Sequence, residues 1–328
     1  MTTYILRRLL LAIPTLLAIS LIAFVIIQLP PGDFLTQKIA ELEQQYGDSS
    51  SMARAQELRE RYGLTKPLYV RYAHWVSGFA RGDFGESFRY EREVRDLIGE
   101  RLAYTLLISL GSLVFMYAVA VPLGIFSATH KYSWQDNLLA FLAFLGMSLP
   151  GFLLALMLMV LAFDLFGLPL FGLFSPPYRD APWSLARFGD LWQHLLIPII
   201  VVAINGTAGL MRVMRGNLLD VLGLPFVQTA RAKGLKERVV VWKHAVRIAI
   251  NPLISILGMS LPEILSGATI VSIVMGLPTF GPLLVKSLKD QDMYLAGTLI
   301  MIFSLLLIIG NLLADVALAW ADPRIRYE

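Results

Sequence analysis

The chain has 328 residues, of which 56 % are hydrophobic and only 16 % are charged, and its mean hydropathy is +0.65. Soluble domains average about 45–50 % apolar and about 25 % charged residues, so this composition argues against a cytosolic globular enzyme and against a disordered or fibrous chain. The absence of cysteine excludes disulfides, thiolate metal sites, iron–sulfur clusters and cysteine nucleophiles. The four histidines lie too far apart for an H-E-x-x-H zinc helix.

Apolar stretches long enough to cross a membrane, which takes about 20 residues, recur along the chain. In chain order they cover residues 9–29, about 102–128, about 138–166, about 195–213, about 252–275 and about 295–320. Proline and glycine interrupt most of them, and neighbouring helices in a bundle can satisfy the freed backbone groups. The sequence therefore predicts an all-α integral membrane protein with six transmembrane helices.

The first stretch is interpreted as a retained helix rather than a cleaved signal. Its apolar run exceeds the usual h-region of about 7–15 residues, and Leu-Pro-Pro-Gly-Asp follows it instead of a small-x-small cleavage site. Residues 30–101 carry eleven basic and twelve acidic residues, and we expect this balanced, long segment to lie outside the cytoplasm. An insert near residues 36–60 has no assignable role.

The distribution of lysine and arginine predicts the orientation, because short cytoplasmic loops are enriched in both. Residues 212–247 contain eight basic and two acidic residues. Six spans place this loop on the same side as both termini, so we expect all three in the cytoplasm. The net charge of +4 is then a topology signal and does not indicate nucleic-acid binding.

Few groups in the spans could carry chemistry. No G-x-x-x-x-G-K-[ST] motif is present, so the chain itself is not expected to bind nucleotide. Glu263 follows Pro262 near the middle of a span, where placing a charged carboxylate within the membrane is energetically unfavourable. It is interpreted either as a residue lining a transport pathway or as a hydrogen-bonded packing residue. Asp164 and Asp315 lie near span ends and do not form the central pair of an intramembrane protease.

The loop at residues 214–250 is longer than a simple connector. Pro225 and Gly234 predict a short helix between them, since proline favours the first helical position and glycine the position after the last. Thr229, Ala230 and Ala232 would give this helix a small face that another protein could approach closely. The alternative is a basic loop adsorbed on anionic lipid.

Several motifs give a resemblance to a known family. Thr-Ala-Arg-Ala-Lys-Gly-Leu at residues 229–235, followed by His-Ala-Val-Arg at 244–247, resembles the coupling loop of ATP-binding-cassette (ABC) importer permeases, within them the oligopeptide, dipeptide and nickel group. Matching motifs run along almost the whole chain, in order. They are Arg-Arg-Leu at 7–9, Pro-Gly-Asp at 31–33, Tyr-Gly-Leu at 62–64, Gly-Asp-Phe-Gly at 82–85, Gly-Leu-Pro at 276–278 and Asp-Pro-Arg-Ile-Arg-Tyr at 322–327.

The resemblance implies a type I ABC importer permease fold. Its parts would be the N-terminus and first helix (1–29), the extracytoplasmic segment (30–101) and a permease core of five helices (102–328). It implies a bacterial or archaeal cytoplasmic (inner) membrane, a second permease subunit, two ABC ATPase subunits that bind ATP and Mg, an extracytoplasmic solute-binding protein and membrane lipid. No cofactor, metal or catalytic residue is expected in this chain.

By the same resemblance the short helix couples transport to the ATPase subunits. The coupling residues would be Phe226, Gln228, Thr229, Ala230, Arg231, Ala232, Lys233 and Gly234. Gln228, Thr229 and Ala230 replace the Glu-Ala-Ala of the general permease motif, whereas Gly234 fits it. Peptides are the expected substrate, with oligosaccharides or nickel chelates as alternatives, and a self-sufficient secondary transporter is the alternative from another class.

Overall fold

The computed structural model describes residues 2–29 and 65–321, with side chains described for these except residues 2–5, 259, 261–263 and 317–321. The insert near residues 36–60 and the motifs at 31–33, 62–64 and 322–327 lie outside the described residues. The regular secondary structure of the described residues is helical, apart from one isolated antiparallel bridge between Glu86 and Glu93. Its helices are α1 Thr2–Gln28, α2 Leu68–Arg81, α3 Val94–Thr129, α4 Trp134–Ser148, α5 Gly151–Phe166, α6 Leu185–Leu222, α7 Pro225–Ala232, α8 Glu237–Val239, α9 Val246–Ala249, α10 Asn251–Val274, α11 Phe280–Lys289 and α12 Met293–Ala321. Pro176–Tyr178 forms a 3-10 turn, and Val240–Ala245 is π-helical.

Five stretches of the described residues are long and apolar enough to cross a membrane. They are Leu6–Gln28, Val94–Thr129, Leu185–Leu222, Glu237–Gly258 and Met293–Val316. The fourth of these stretches overlaps the fifth predicted span, at about residues 252–275. It begins earlier than predicted, because helical structure precedes α10 from Glu237 onwards. Together with the bent pair α4 and α5, these stretches account for up to six spans.

The third predicted stretch, residues 138–166, is not one continuous helix. Its two parts, α4 and α5, meet at a bend of 105°. Leu149 is extended (φ −87°, ψ 127°), as expected of a residue that precedes proline, and Pro150 is extended as well. Each part has 15 or 16 residues, or about 24 Å of helix, which is less than the roughly 30 Å of a hydrocarbon core.

The chain divides into two compact units: Met1–Ala103 with Pro282–Ile308, and Tyr104–Gly281 with Ile309–Glu328. In the first unit Trp75 of α2 is buried among residues that include Phe24 and Met301. A Cβ at Gly297 would lie 2.6 Å from the indole ring of Trp75, so only glycine allows this close approach. The division predicted at residues 29/30 and 101/102 remains a prediction.

The second unit is built around α6, whose most apolar segment is 61 % buried, compared with 22 % for that of α1. Two hydrophobic clusters lie along α6. One includes Met214 and Leu218 and extends to α7 and the π-helical segment, and the other includes Leu195 and Val201 and extends to α5 and α10. This unit contains both parts of the candidate site.

Candidate functional site: a cavity and a short helix in the basic loop

A cavity of about 620 Å³ lies within the second unit, between α3, α4, α6 and α10. The helices supply its lining as follows: Met116 from α3; Met147 from α4; Val202, Asn205, Gly206, Gly209, Leu210 and Val213 from α6; Ile256, Ser260, Ile264, Ser266 and Gly267 from α10. Among the side chains that the structure describes, the lining contains no ionisable group. It is apolar with a few neutral polar groups, and two flexible methionines contribute to it.

The polar groups of the lining differ in how far their hydrogen bonds are satisfied. The Ser260 hydroxyl donates to the backbone carbonyl of Ile256 at 3.0 Å. No hydrogen bond to the Asn205 side chain occurs within the described part of the chain. The Asn205 amide can both donate and accept, so it can exchange hydrogen bonds with water or with a molecule in the cavity.

The glycines of the lining fall into two kinds. A Cβ at Gly206 would overlap the sulfur of Met116, so this glycine permits close packing of α3 on α6. A Cβ at Gly209 or Gly267 would meet no atom within 4 Å. A side chain at either position would therefore start in open space and extend into the cavity.

Glu263, the predicted pathway residue, follows Pro262 within α10. Its side chain lies outside the described residues. Ser260, Ile264, Ser266 and Gly267 of the same helix line the cavity. The pathway and packing interpretations of Glu263 both remain open.

The short helix predicted in the basic loop is confirmed as α7. It begins with Pro225 after an extended Leu224 and ends at Ala232. Gly234 follows in the left-handed region (φ +75°), which favours glycine because it lacks a Cβ. Before α7, α6 continues to Leu222, and after it helical structure resumes at Glu237 and leads to α10.

The orientation of α7 differs in one respect from the sequence-based prediction. Val227 and Ala230 are buried in a cluster with Val240, Val241 and Ala245. Ala230 therefore packs inside the chain and is not part of a small outer face. The exposed side of α7 instead presents Phe226, Gln228, Thr229 and Ala232, with Lys233 and Gly234 after its end.

An exposed ion pair closes the loop after α7. Arg231 donates to both carboxylate oxygens of Glu237, at 2.7 and 3.1 Å. Because both side chains are substantially exposed, the pair contributes less than about 1 kcal/mol to stability. Its consequence is geometric, since it fixes the end of α7 relative to the start of α8.

A buried carboxylate that the sequence analysis did not single out ties α4 to α6. Arg215 donates two hydrogen bonds to Asp136, at 2.9 and 2.7 Å. Ser127 and the backbone N–H of Tyr132 also donate to this carboxylate. The pair spans 79 positions, so no local pattern identifies it.

Comparisons with known proteins identify the family. The sequence profile described as "Binding-protein-dependent transport system inner membrane component" matches residues 120–327. A second, described as "Binding-prot-dependent transport system membrane comp, N-term", matches residues 1–110. The chain belongs to this family.

Individual permeases resemble the chain over its full length. It is 36 % identical to the "Oligopeptide transport system permease protein AppB" of Bacillus subtilis, with 100 % of both chains covered. It is 34 % identical to the "Putative peptide permease protein BOV_A0351" of Brucella ovis, with 99 % of both covered. It is 33 % identical to the "Glutathione transport system permease protein GsiC" of Escherichia coli K12, again with 100 % of both covered. The resemblance to ABC importer permeases is thereby confirmed. The family match at residues 120–327 covers all helices from α4 to α12, including α7, and all but one of the cavity-lining residues.

Proposed function

We propose that the chain is the permease subunit of a peptide importer and that the cavity is part of the path taken by the peptide. The single observation that carries the proposal is the chemistry of the lining. A peptide offers backbone N–H and C=O groups at every residue, whatever its sequence. Neutral groups such as Asn205 and Ser266 can exchange hydrogen bonds with them, while methionines adapt to varied side chains. The printed names of the relatives, for oligopeptide and glutathione transport, support the same substrate class.

The proposal includes the partners that a binding-protein-dependent system requires. A second permease subunit completes the path, an extracytoplasmic solute-binding protein delivers the peptide, and two ABC ATPase subunits bind ATP and Mg. The chain itself is non-catalytic and binds no nucleic acid. It lies in the bacterial or archaeal cytoplasmic membrane with both termini in the cytoplasm.

In this proposal α7 is the element that contacts an ATPase subunit. Its buried side is joined through Val227 and Ala230 to the π-helical segment that leads to α10, and α10 lines the cavity. A displacement of α7 would therefore act on the cavity through packed residues. The exposed residues Phe226, Gln228, Thr229 and Ala232, together with Arg231, Lys233 and Gly234, form the contact.

Filling the cavity tests the proposed path. Gly209→Leu and Gly267→Leu are expected to abolish most ATP-dependent peptide uptake by the complex reconstituted in proteoliposomes, because each leucine would occupy the cavity. Leucine favours helix over glycine by roughly 0.5–1 kcal/mol, so the thermal stability of the complex should not fall.

The matched control is Gly189→Leu. Gly189 is the fifth residue of the same helix, α6, and a Cβ there also meets open space, but it does not line the cavity. Uptake by this variant should equal that of the wild type. Wild-type uptake by well-assembled Gly209→Leu and Gly267→Leu complexes would contradict the proposed path.

Thiol labelling tests the orientation, with no background from this chain because it lacks cysteine. Lys236→Cys in the basic loop should resist a membrane-impermeant reagent applied outside intact cells or spheroplasts. Arg179→Cys, in the loop before α6, should react. Labelling of Lys236→Cys from outside would overturn the orientation and the ATPase contact with it.

A further inference from the structure

Arg212 is a charged residue beside the neutral cavity. It lies on α6, one turn after Gly209 and next to Val213, both of which line the cavity. Its guanidinium lies 5.2 Å from the centre of the Phe144 ring. Its Nη2 lies 2.9 Å from the sulfur of Met147, and Met147 is itself a lining residue.

The guanidinium points along α4 towards the cavity. Two contacts fix the antiparallel register of α4 and α6: Arg215 pairs with Asp136, and a Cβ at Gly146 would lie 3.2 Å from Ile204. Arg212 therefore has its backbone close to the level of Asp136. Its guanidinium, beside Phe144 and Met147, is several residues further along α4, as expected from the tilt of helical side chains towards the helix N-terminus.

This direction is opposite to the one that a lipid-anchoring arginine takes. Tyr132 and Trp134, at the start of α4, are among the most exposed aromatic side chains of the chain (76 % and 70 %), and such residues mark the level of the lipid headgroups. Arginines near span ends extend towards that level. The Arg212 side chain extends away from it.

The charge of Arg212 is not balanced by a carboxylate within the described part of the chain. Its contacts are an aromatic ring and a thioether. Three residues later on the same helix, Arg215 binds the buried carboxylate of Asp136 through two hydrogen bonds. The two neighbouring arginines thus differ: one holds the fold together, and the other presents its donors beside the cavity.

We propose that Arg212 binds the terminal carboxylate of the transported peptide at this end of the cavity and so makes the permease selective for peptides with a free C-terminus. The inference rests on the proposed peptide-import function. A guanidinium can donate two parallel hydrogen bonds to a carboxylate. The neutral lining contacts the rest of the peptide, and Arg212 recognises its C-terminal carboxylate.

The test compares two forms of one tripeptide, the free acid and the C-terminal amide, in proteoliposomes with the loaded binding protein. Arg212→Gln should lower uptake of the free acid by about ten-fold, the loss typical of a charged hydrogen-bonding partner. It should leave uptake of the amide within about two-fold of its wild-type value. Arg212→Lys should restore part of the free-acid uptake, because it keeps the charge but not the bidentate geometry.

The control is Arg238→Gln, which removes an exposed basic side chain from the same basic loop but away from the cavity. Both peptides should be taken up at wild-type rates. An equal loss of both peptides in Arg212→Gln would overturn the inference, and dependence of that loss on anionic lipid would assign Arg212 to a headgroup instead. Absence of peptide uptake by the wild-type complex would contradict the proposed function itself, so the two failures are distinguishable.

A second measurement applies if the binding protein rejects the amide. Arg212→Cys, whose thiol is the only one in the chain, is modified with an aminoethyl or a sulfonatoethyl methanethiosulfonate. The cationic adduct should restore uptake of the free acid and the anionic adduct should not. Restoration by both adducts, or by neither, would contradict the inference.

Discussion

Two stretches of α6 are surrounded very differently. Along residues 205–213, Asn205 has no hydrogen-bonding partner among the described residues, and a Cβ at Gly209 would meet open space. Along residues 214–222, Met214 and Leu218 are completely buried, and Arg215 is bound to Asp136. One helix thus serves two purposes: its first stretch borders a cavity, and its second is part of a packed block that includes α7 and the π-helical segment. Changes to buried residues of the packed block should lower stability, whereas changes at the open positions of the cavity should alter transport alone.

The largest expected effect on stability comes from Asp136. Asp136→Ala removes the acceptor of Arg215, Ser127 and the Tyr132 N–H and leaves a partly buried guanidinium without its anion. We expect a loss of about 2–3 kcal/mol in the free energy of unfolding, measured by denaturant or thermal unfolding of the purified subunit in detergent. A double-mutant cycle with Arg215→Ala should give a coupling energy of about 1–3 kcal/mol. Additivity of the two substitutions would show that the pair does not join α4 to α6.

The next largest expected effect on stability is the difference between substitutions at two alanines of α7. Ala230→Trp forces a large ring into the cluster around Val227 and should cost about 1–3 kcal/mol. Ala232→Trp, on the exposed side, should change stability by less than about 0.5 kcal/mol yet reduce transport-coupled ATP hydrolysis. Equal stability losses at both positions, measured by thermal unfolding, would refute the assigned orientation of α7.

Substitutions at Gly234 test whether the backbone after the end of α7 requires glycine. Because its φ is +75°, Gly234→Val should cost roughly 1–2 kcal/mol through backbone strain alone, since no atom lies within 4 Å of the added Cβ. Gly234→Asn should cost less, because asparagine tolerates the left-handed region. A valine variant as stable as the asparagine variant would mean that the backbone at this position does not need glycine.

The smallest expected effect concerns the exposed pair of Arg231 and Glu237. Glu237→Gln should lower stability by less than about 1 kcal/mol, and the difference should shrink as salt is added. The unfolding midpoints of variant and wild type at low and high salt measure this. A large, salt-independent loss would show that the pair is part of the packed block.

Local signals in the sequence predicted α7 well. Pro225 and Gly234 fix its ends through backbone geometry alone, so its bounds needed no knowledge of the rest of the chain. Which of its residues face inward could not be predicted, because Ala230 is buried by Val240 and its neighbours, ten or more positions away. Alanine itself suits an interior or an interface equally well.

The composition of the chain predicted the membrane spans. It did not predict the size of the bend within the third predicted span. Pro150 and Gly151 were visible as interruptions, but a bend of 105° depends on the extended conformation of Leu149, which proline favours without dictating. The cavity and the Asp136–Arg215 pair were not predicted. Both depend on the side-by-side packing of helices distant in sequence, and an aspartate near the start of a helix is equally compatible with an exposed position.

The central claim, that the cavity is a path for peptide, is tested most directly by a thiol placed in its lining. Ser266→Cys is nearly isosteric, and Ser266 is exposed and lines the cavity. Ser112→Cys is the control, since Ser112 lies in the same unit but is fully buried and hydrogen-bonded to the carbonyl of Ile199. We expect a water-soluble thiol reagent to modify the cysteine at 266 but not the one at 112, and we expect peptide delivered by its binding protein to slow the reaction at 266. A cysteine at 266 that stays unreactive with and without ATP, or that reacts at a rate independent of peptide, would contradict the central claim.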